Sequence, residues 1–290
     1  MSSFTIVTDT SCDMPESMAQ ELEVIAVPLK VVIADKTVNS TLKGLDIQTG
    51  FYDMLRKGIK TTTSSPSIDD FVRYFNAILS HGKDILYIGF SSTLSGTFNV
   101  ARIAAMQLQE EYPDRKILMV DSLCASMGLS LLIYQCVQKQ REGYSIEQVC
   151  EYAEQIKGNI HHWFTVDDLN HLKRGGRISA STAVIGAVMN IKPVLRFSGS
   201  GKIESVYKAR GKRLAIAKMV EQMGVHFNPD VNDTVFISHA DCKEDADLLA
   251  RSITKNYGIT NFVISEIGAS LGTHAGPGAV ALFYFGDVRE

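Results

Sequence analysis

The chain has 290 residues, of which 45% are hydrophobic and 21% charged, with a formal net charge of −3. That length favours two domains over one, and the composition is ample for a packed core. The slightly acidic balance offers no general attraction to nucleic acid or to an anionic membrane, and no apolar run is long enough to span a bilayer.

The start, Met1-Ser2-Ser3-Phe4-Thr5, has no basic n-region and no long apolar segment, so no secretory signal is expected. Five cysteines (Cys12, Cys124, Cys136, Cys150, Cys242) form no C-x-x-C pair. They suit reduced thiols in a cytoplasm better than disulfides or a zinc site.

In chain order, Phe4-Thr5-Ile6-Val7 reads as a strand running into a polar exit, Thr8-Asp9-Thr10-Ser11. Val24 to Ile33 reads as one extended segment around Pro28, and Gly44 to Lys57 carries a short helix. Lys60-Thr61-Thr62-Thr63-Ser64-Ser65-Pro66-Ser67 reads as a hydroxyl-rich loop. In the helix after it, Ile68, Phe71, Val72, Phe75, Ile78 and Leu79 share a face, Ser67 and Asp70 form a capping box, and Gly82 ends it.

The strand Ile85 to Ile88 leads into Gly89-Phe90-Ser91-Ser92-Thr93-Leu94-Ser95-Gly96-Thr97 and a helix with Phe98, Val100, Ala101, Ile103, Ala104 and Leu108 on one face. Lys116 to Val120 is a further strand with the exit Asp121-Ser122. Helices then run from Ser126 to Gly143 and from Ser145, with Gln148 at the box position, to Gly158. This alternation predicts a parallel sheet with right-handed crossovers, whose ligand site lies beyond the carboxyl ends of the strands.

After Gly158-Asn159 the pattern changes. His161 to Val166 is strand-like, Asp168 to Lys173 a short helix, and Ser179 to Met189 an apolar helix. Val194 to Phe197 and Lys202 to Lys208 form a hairpin about Ser198-Gly199-Ser200-Gly201. There follow a helix, the strand Thr234 to Ile237, the helix Glu244 to Tyr257 and the strand Phe262 to Ile267. A glycine-rich loop, Gly268 to Gly278, leads to a last strand, Ala279 to Phe285. A hairpin among alternating units implies a mixed sheet, so the expected division is 1–158 and 159–290.

The chemistry is concentrated in the hydroxyl loops. A helix start with unpaired N–H groups attracts an anion. A serine N-cap would explain the 89–97 loop alone; its repetition near Thr63 favours the anion. Neutral donors without carboxylates are unsuited to calcium or magnesium. Neither G-x-x-x-x-G-K-[ST] nor G-x-G-x-x-G is present at a strand exit. His161 and His162, as strand neighbours, point to opposite faces and cannot easily share a metal. His274, within Gly272-Thr273-His274-Ala275-Gly276-Pro277-Gly278, could pair with a carboxylate, which would favour its charged form. Lys173-Arg174-Gly175-Gly176-Arg177 and Lys208 to Arg213 are basic clusters that, taken singly, read as solvated helix ends.

Thr63-Ser64-Ser65-Pro66-Ser67, Ser91 to Thr97, Leu172 to Ile178 and Gly272 to Gly278 together resemble the DegV family of bacterial fatty-acid-binding proteins. Asp9-Thr10-Ser11, Asp121-Ser122 and Ser126-Met127-Gly128 fit as well, so the resemblance covers the whole chain. It departs at Ser65, where glutamine is frequent, and at Cys12, where a small residue is usual. The resemblance implies an α/β fold of two domains: a Rossmann-like parallel-sheet N-terminal domain and a mixed-sheet C-terminal one, with a fatty acid between them.

On the same resemblance the carboxylate of a long-chain acid such as palmitate would be held by Thr63, Ser64, Ser92, Ser95 and His274, with Ser92 and Ser95 not distinguished. Arg210 would lie near the head group and Arg177 by the portal, both serving a partner. That partner would be an ATP-dependent fatty acid kinase, which makes an acyl phosphate for phospholipid synthesis. The chain itself would act in the cytoplasm without catalysis, cofactor, metal, nucleic acid or stable membrane insertion. Burying about fourteen methylenes at roughly 0.8 kcal/mol each contributes on the order of 10 kcal/mol before ordering costs, so the tail supplies affinity and the hydroxyls fix orientation. Two other readings remain: a serine hydrolase using Ser92 or Ser95 with His274 and Asp121, and a lipid-responsive regulatory protein. The absence of a G-x-S-x-G elbow weighs against the hydrolase.

Overall fold

Residues 4–45, 50–178, 190–227 and 234–290 are described by the computed structural model. The helix expected over 179–189 lies outside them. Three sheets organise the chain, and each follows from a different sequence pattern.

The apolar strands β1 (Phe4–Asp9), β2 (Ile25–Val27), β7 (Asp84–Gly89) and β8 (Ile117–Asp121) form a parallel sheet in the order β2-β1-β7-β8. It is covered by α3 (Ile68–Leu79), α4 (Thr97–Glu111), α5 (Met127–Arg141) and α6 (Ile146–Ile156). The expected capping boxes are formed: Ser67 with Asp70 starts α3, and Ser145 with Gln148 starts α6.

The second sheet is antiparallel and was not anticipated. It runs β5-β4-β3-β6, from β3 (Leu29–Ile33), β4 (Lys36–Thr41), β5 (Gly44–Leu45) and β6 (Thr61–Ser64). Two expectations are corrected here. Val24 to Ile33 is not one segment: Val27 pairs with Asp9 in the parallel sheet, while Leu29 pairs with Ser40 in the antiparallel one. Pro28 between them has no N–H to donate, so a continuous ladder breaks there. Thr61–Ser64 is likewise a strand rather than loop, with Val31 opposite Thr63; β-branched threonines tolerate a half-exposed edge.

The third sheet takes all its strands from beyond residue 159 and is mixed. Its order is β11 (Ile203–Arg210), β10 (Ile191–Phe197), β9 (Ile160–Thr165), β14 (Val280–Phe285), β12 (Val235–His239) and β13 (Phe262–Glu266). The β10–β11 hairpin is antiparallel, as expected, and only β12–β13 is parallel. Two helices, α8 (Lys212–His226) and α9 (Lys243–Tyr257), cover one face, while α5 packs on β9, β12 and β14 from the other. One apolar cluster therefore runs from Ile6 and Ile88 through Leu132 to Phe236 and Phe283, joining the two halves. The strands of the first two sheets all precede residue 158, and on that segregation we propose 158/159 as the domain boundary.

A third correction concerns Gly268 to Gly278. Ala269–Ala275 is a helix (α10), not a glycine-rich loop. Gly272 is tolerated inside it because a Cβ there would collide with Tyr52 Oη and with Phe51, which starts α2 (Phe51–Arg56). No described helix is long and apolar enough to cross a membrane.

Candidate functional site

The strand ends converge as the parallel topology requires. Asp9, fully buried at the end of β1, accepts hydrogen bonds from Ser11 N–H (3.1 Å), Ser11 Oγ (2.5 Å), Tyr87 Oη (2.8 Å) and Phe90 N–H (3.1 Å). Burial raises its carboxyl above the ordinary aspartate value, while these donors pull it down. Through Phe90 and Tyr87 it fixes the exit of β7. Gly89 is required there, since the Tyr87 ring occupies the space of any Cβ.

The loop that follows distributes its hydroxyls in two directions. Ser92 Oγ donates to Asp121 Oδ2 (2.5 Å) on the exposed side, and Ser92 N–H donates to Asp121 Oδ1 (3.1 Å). Ser95 turns inward, its Oγ 2.9 Å from Thr97 Oγ1 and accepting from Thr97 N–H at the start of α4 (3.2 Å). Ser65 Oγ in turn accepts from Thr97 Oγ1 (3.2 Å).

Across from this loop α10 brings His274 to β6, with His274 Nε2 2.7 Å from Thr63 Oγ1. The imidazole fits because α7 (Asn170–Arg174) ends in Gly175, whose missing Cβ leaves room for His274 Nδ1. Arg177 Nε donates to Leu94 O (3.1 Å) and its Nη1 to Gly175 O, so this side chain ties the serine loop to the α7 turn. Burial, and secondarily the Arg177 charge, push His274 down to about 4. In this structure burial and Arg177 therefore favour the neutral imidazole, whereas the expected charged form belongs to a ring paired with a carboxylate.

These groups lie together on one cleft with a cavity volume of about 170 Å³. Thr63, Ser64, Ser95, Arg177 and His274 line it; Ser92 and Arg210 do not. Arg210 instead stands exposed at the end of β11. Among the described lining residues Arg177 is the only charged one at neutral pH, and none is a carboxylate. Most of the remaining lining is apolar, including Leu29, Phe90, Leu94, Phe164, Leu271 and Ala281, with Ser126, Ser238, Ser270 and the His162 ring among it. Such a cleft suits an anion attached to a long apolar body.

Sequence reasoning missed the polar network under this cleft. Ser126 Oγ, at the start of α5, donates to Asp13 Oδ2 (2.5 Å) and lies 3.0 Å from Ser238 Oγ. Gly268 N–H donates to Asp13 Oδ1 (2.8 Å), which anchors the start of α10. Ser126-Met127-Gly128 carried part of the family resemblance, but nothing in its spacing pointed to Asp13. Burial raises the Asp13 carboxyl to about 7 from an ordinary 3.8. The native state thus holds a proton that the unfolded chain has released, so the stability contributed through Asp13 is full below about pH 4 and is lost as pH rises through about 7. Urea unfolding across that range should show this decline in the wild type and not in Asp13→Asn; parallel profiles would contradict it.

His161 and His162 point to opposite sides of β9, as alternation requires. His162 lines the cleft, whereas His161 meets His226 and Asp287, whose ligand-type atoms lie within 4.8 Å of one another. The His161 and His226 rings stack with centroids 4.8 Å apart at 21°. Hydrogen bonds to Asp287 account for the cluster, with Asp287 Oδ1 2.9 Å from His226 Nδ1 and 3.1 Å from His161 Nε2.

Known proteins share both the sequence and the fold. A model of the DegV family, described as uncharacterised protein, matches residues 3–287. A DegV domain-containing protein of Clostridium perfringens is 37% identical over 290 residues, covering 100% of both chains. A structure from Thermus thermophilus, solved as a fatty-acid-binding DegV family protein, matches with a TM-score of 0.86 at 27% identity, over 98% of this chain and 99% of that one. The Streptococcus pneumoniae Fatty Acid Kinase (Fak) B3 protein, solved loaded with linoleic acid, matches with a TM-score of 0.85 over 99% of this chain and 100% of that one. At 23% identity that last likeness shows the fold alone.

Proposed function

The chain belongs to the DegV family, and from that premise we propose that it binds a long-chain fatty acid such as palmitate, tail inward, and presents the carboxylate at the mouth of the cleft. The observation that carries this reading is the lining of the cleft: Thr63, Ser64, Ser95, His274 and one guanidinium, Arg177, with no carboxylate, beside a majority of apolar side chains. Thr63, Ser95 and His274 hydrogen-bond the carboxylate, Ser64 lies at the rim, and Arg177 balances its charge. Ser92 supports the loop through Asp121 rather than touching the ligand.

The chain itself performs no reaction and takes no cofactor. A partner ATP-dependent fatty acid kinase in the cytoplasm phosphorylates the presented acid for phospholipid synthesis, and exposed Arg210 faces that partner. The fatty-acid binding of the Thermus thermophilus relative supports the choice of ligand. A serine hydrolase fits less well. His274 reaches Thr63 rather than Ser92 or Ser95, and among the described residues no carboxylate orients its other nitrogen.

Native mass spectrometry of the purified chain is expected to show a co-purified C14–C20 acid at one per protein. An apo protein that also ignores added palmitate would contradict the reading.

A further inference from the structure

We propose that the stacked rings of His162 and Phe197 close the inner end of the cleft and set the longest acyl chain it accepts. The inference rests on the fatty-acid reading above.

The cleft is lined in layers by three adjacent strands. Ala281 on β14 lies opposite Phe164 on β9, and Leu195 on β10 is opposite Phe164 on its other side. In the next layer Phe283 lies opposite His162, and Phe197 stacks on His162 with ring centroids 4.5 Å apart at 11°. Phe283 completes the layer edge-on, at 5.2 Å and 86° to His162. Strand β9 leaves its sheet at Thr165 toward α7 and Arg177, and His162 lies about 10 Å back from that end. A layer with the small Ala281 therefore gives way, going inward, to one filled by three rings.

His162 is held rigidly in that layer. Its Nδ1 lies 3.0 Å from Ile160 O, and its Nε2 accepts from Ala125 N–H at 3.3 Å. Any Cβ at residue 128 would overlap the imidazole, so Gly128 makes room for it. Both nitrogens are used by backbone partners, and burial keeps the ring neutral. It offers a lipid only a flat apolar surface.

The test is a titration of saturated acids from C12 to C22 into the wild type, His162→Ala, Phe197→Ala and the refilled variant His162→Phe. Wild-type affinity is expected to rise with each carbon and then fall beyond a limit. In His162→Ala and Phe197→Ala the limit should move outward by about two carbons, and the first acid excluded by the wild type should bind about tenfold tighter. His162→Phe should keep the wild-type limit. Phe197→Ala leaves the His162 backbone bonds in place, so it decides the matter should His162→Ala fail to fold. An unchanged limit in a folded alanine variant overturns the proposal. Failure of the wild type to bind any acid in the series would instead remove the fatty-acid reading on which it rests.

Discussion

Thr63→Val is expected to weaken palmitate binding about 10- to 100-fold while leaving the melting temperature within a few degrees of the wild type. Valine keeps the β-branched shape that β6 presents opposite Val31, so the antiparallel sheet loses nothing. What it removes is the hydroxyl 2.7 Å from His274 Nε2. A carboxylate seated there would lose a charge-assisted hydrogen bond, and the imidazole would lose its fixed partner. Ser95→Ala should cost less on its own, because Ser95 Oγ is already shared with Thr97. The double variant should lose most head-group recognition and retain weak, orientation-insensitive binding through the tail. Calorimetric titration with palmitate separates these outcomes; full affinity in the double variant would move the head group elsewhere.

The second large effect is on stability. Asp9→Ala should destabilise the fold by on the order of 3–5 kcal/mol, because it strands several buried donors at once. Tyr87 Oη, Phe90 N–H and the Ser11 N–H and hydroxyl all converge on this one carboxylate. Burial disfavours the ionised form of Asp9, which offsets part of the loss, but an alanine gives four donors no acceptor. Because Asp9 sets the exit of β7, the serine loop should loosen together with the global fold. Urea unfolding measures the first effect, and hydrogen exchange at Phe90 to Ser95 the second. An Asp9→Ala protein as stable as the wild type would show that water or a rearranged side chain takes over this site.

How much of this was legible beforehand depended on what kind of force fixed each element. The helices α3 and α6 were readable because their capping boxes and apolar faces are local signals. The strand β6 was not, since a run of threonines and serines has no apolar period; it is a strand because β3 pairs with it. The helix α10 was hidden by its glycines, whose cost is outweighed by the close approach of Tyr52 and Phe51. The same division holds at the site. Thr63, Ser95 and His274 were identifiable as chemistry of the right type, and the fold brings them to one cleft. Which of Ser92 and Ser95 turned inward depended on Asp121, twenty-nine residues away along the chain from Ser92. The shift of His274 toward its neutral form comes from burial and from Arg177, and neither can be read from the residues beside it.

The most direct test is an electron-density map of the chain with palmitate bound. The account predicts a carboxylate within hydrogen-bonding distance of Thr63 Oγ1 and His274, with the methyl end against the Phe283–His162–Phe197 layer. An acid lying the other way round, or outside this cleft altogether, would contradict it.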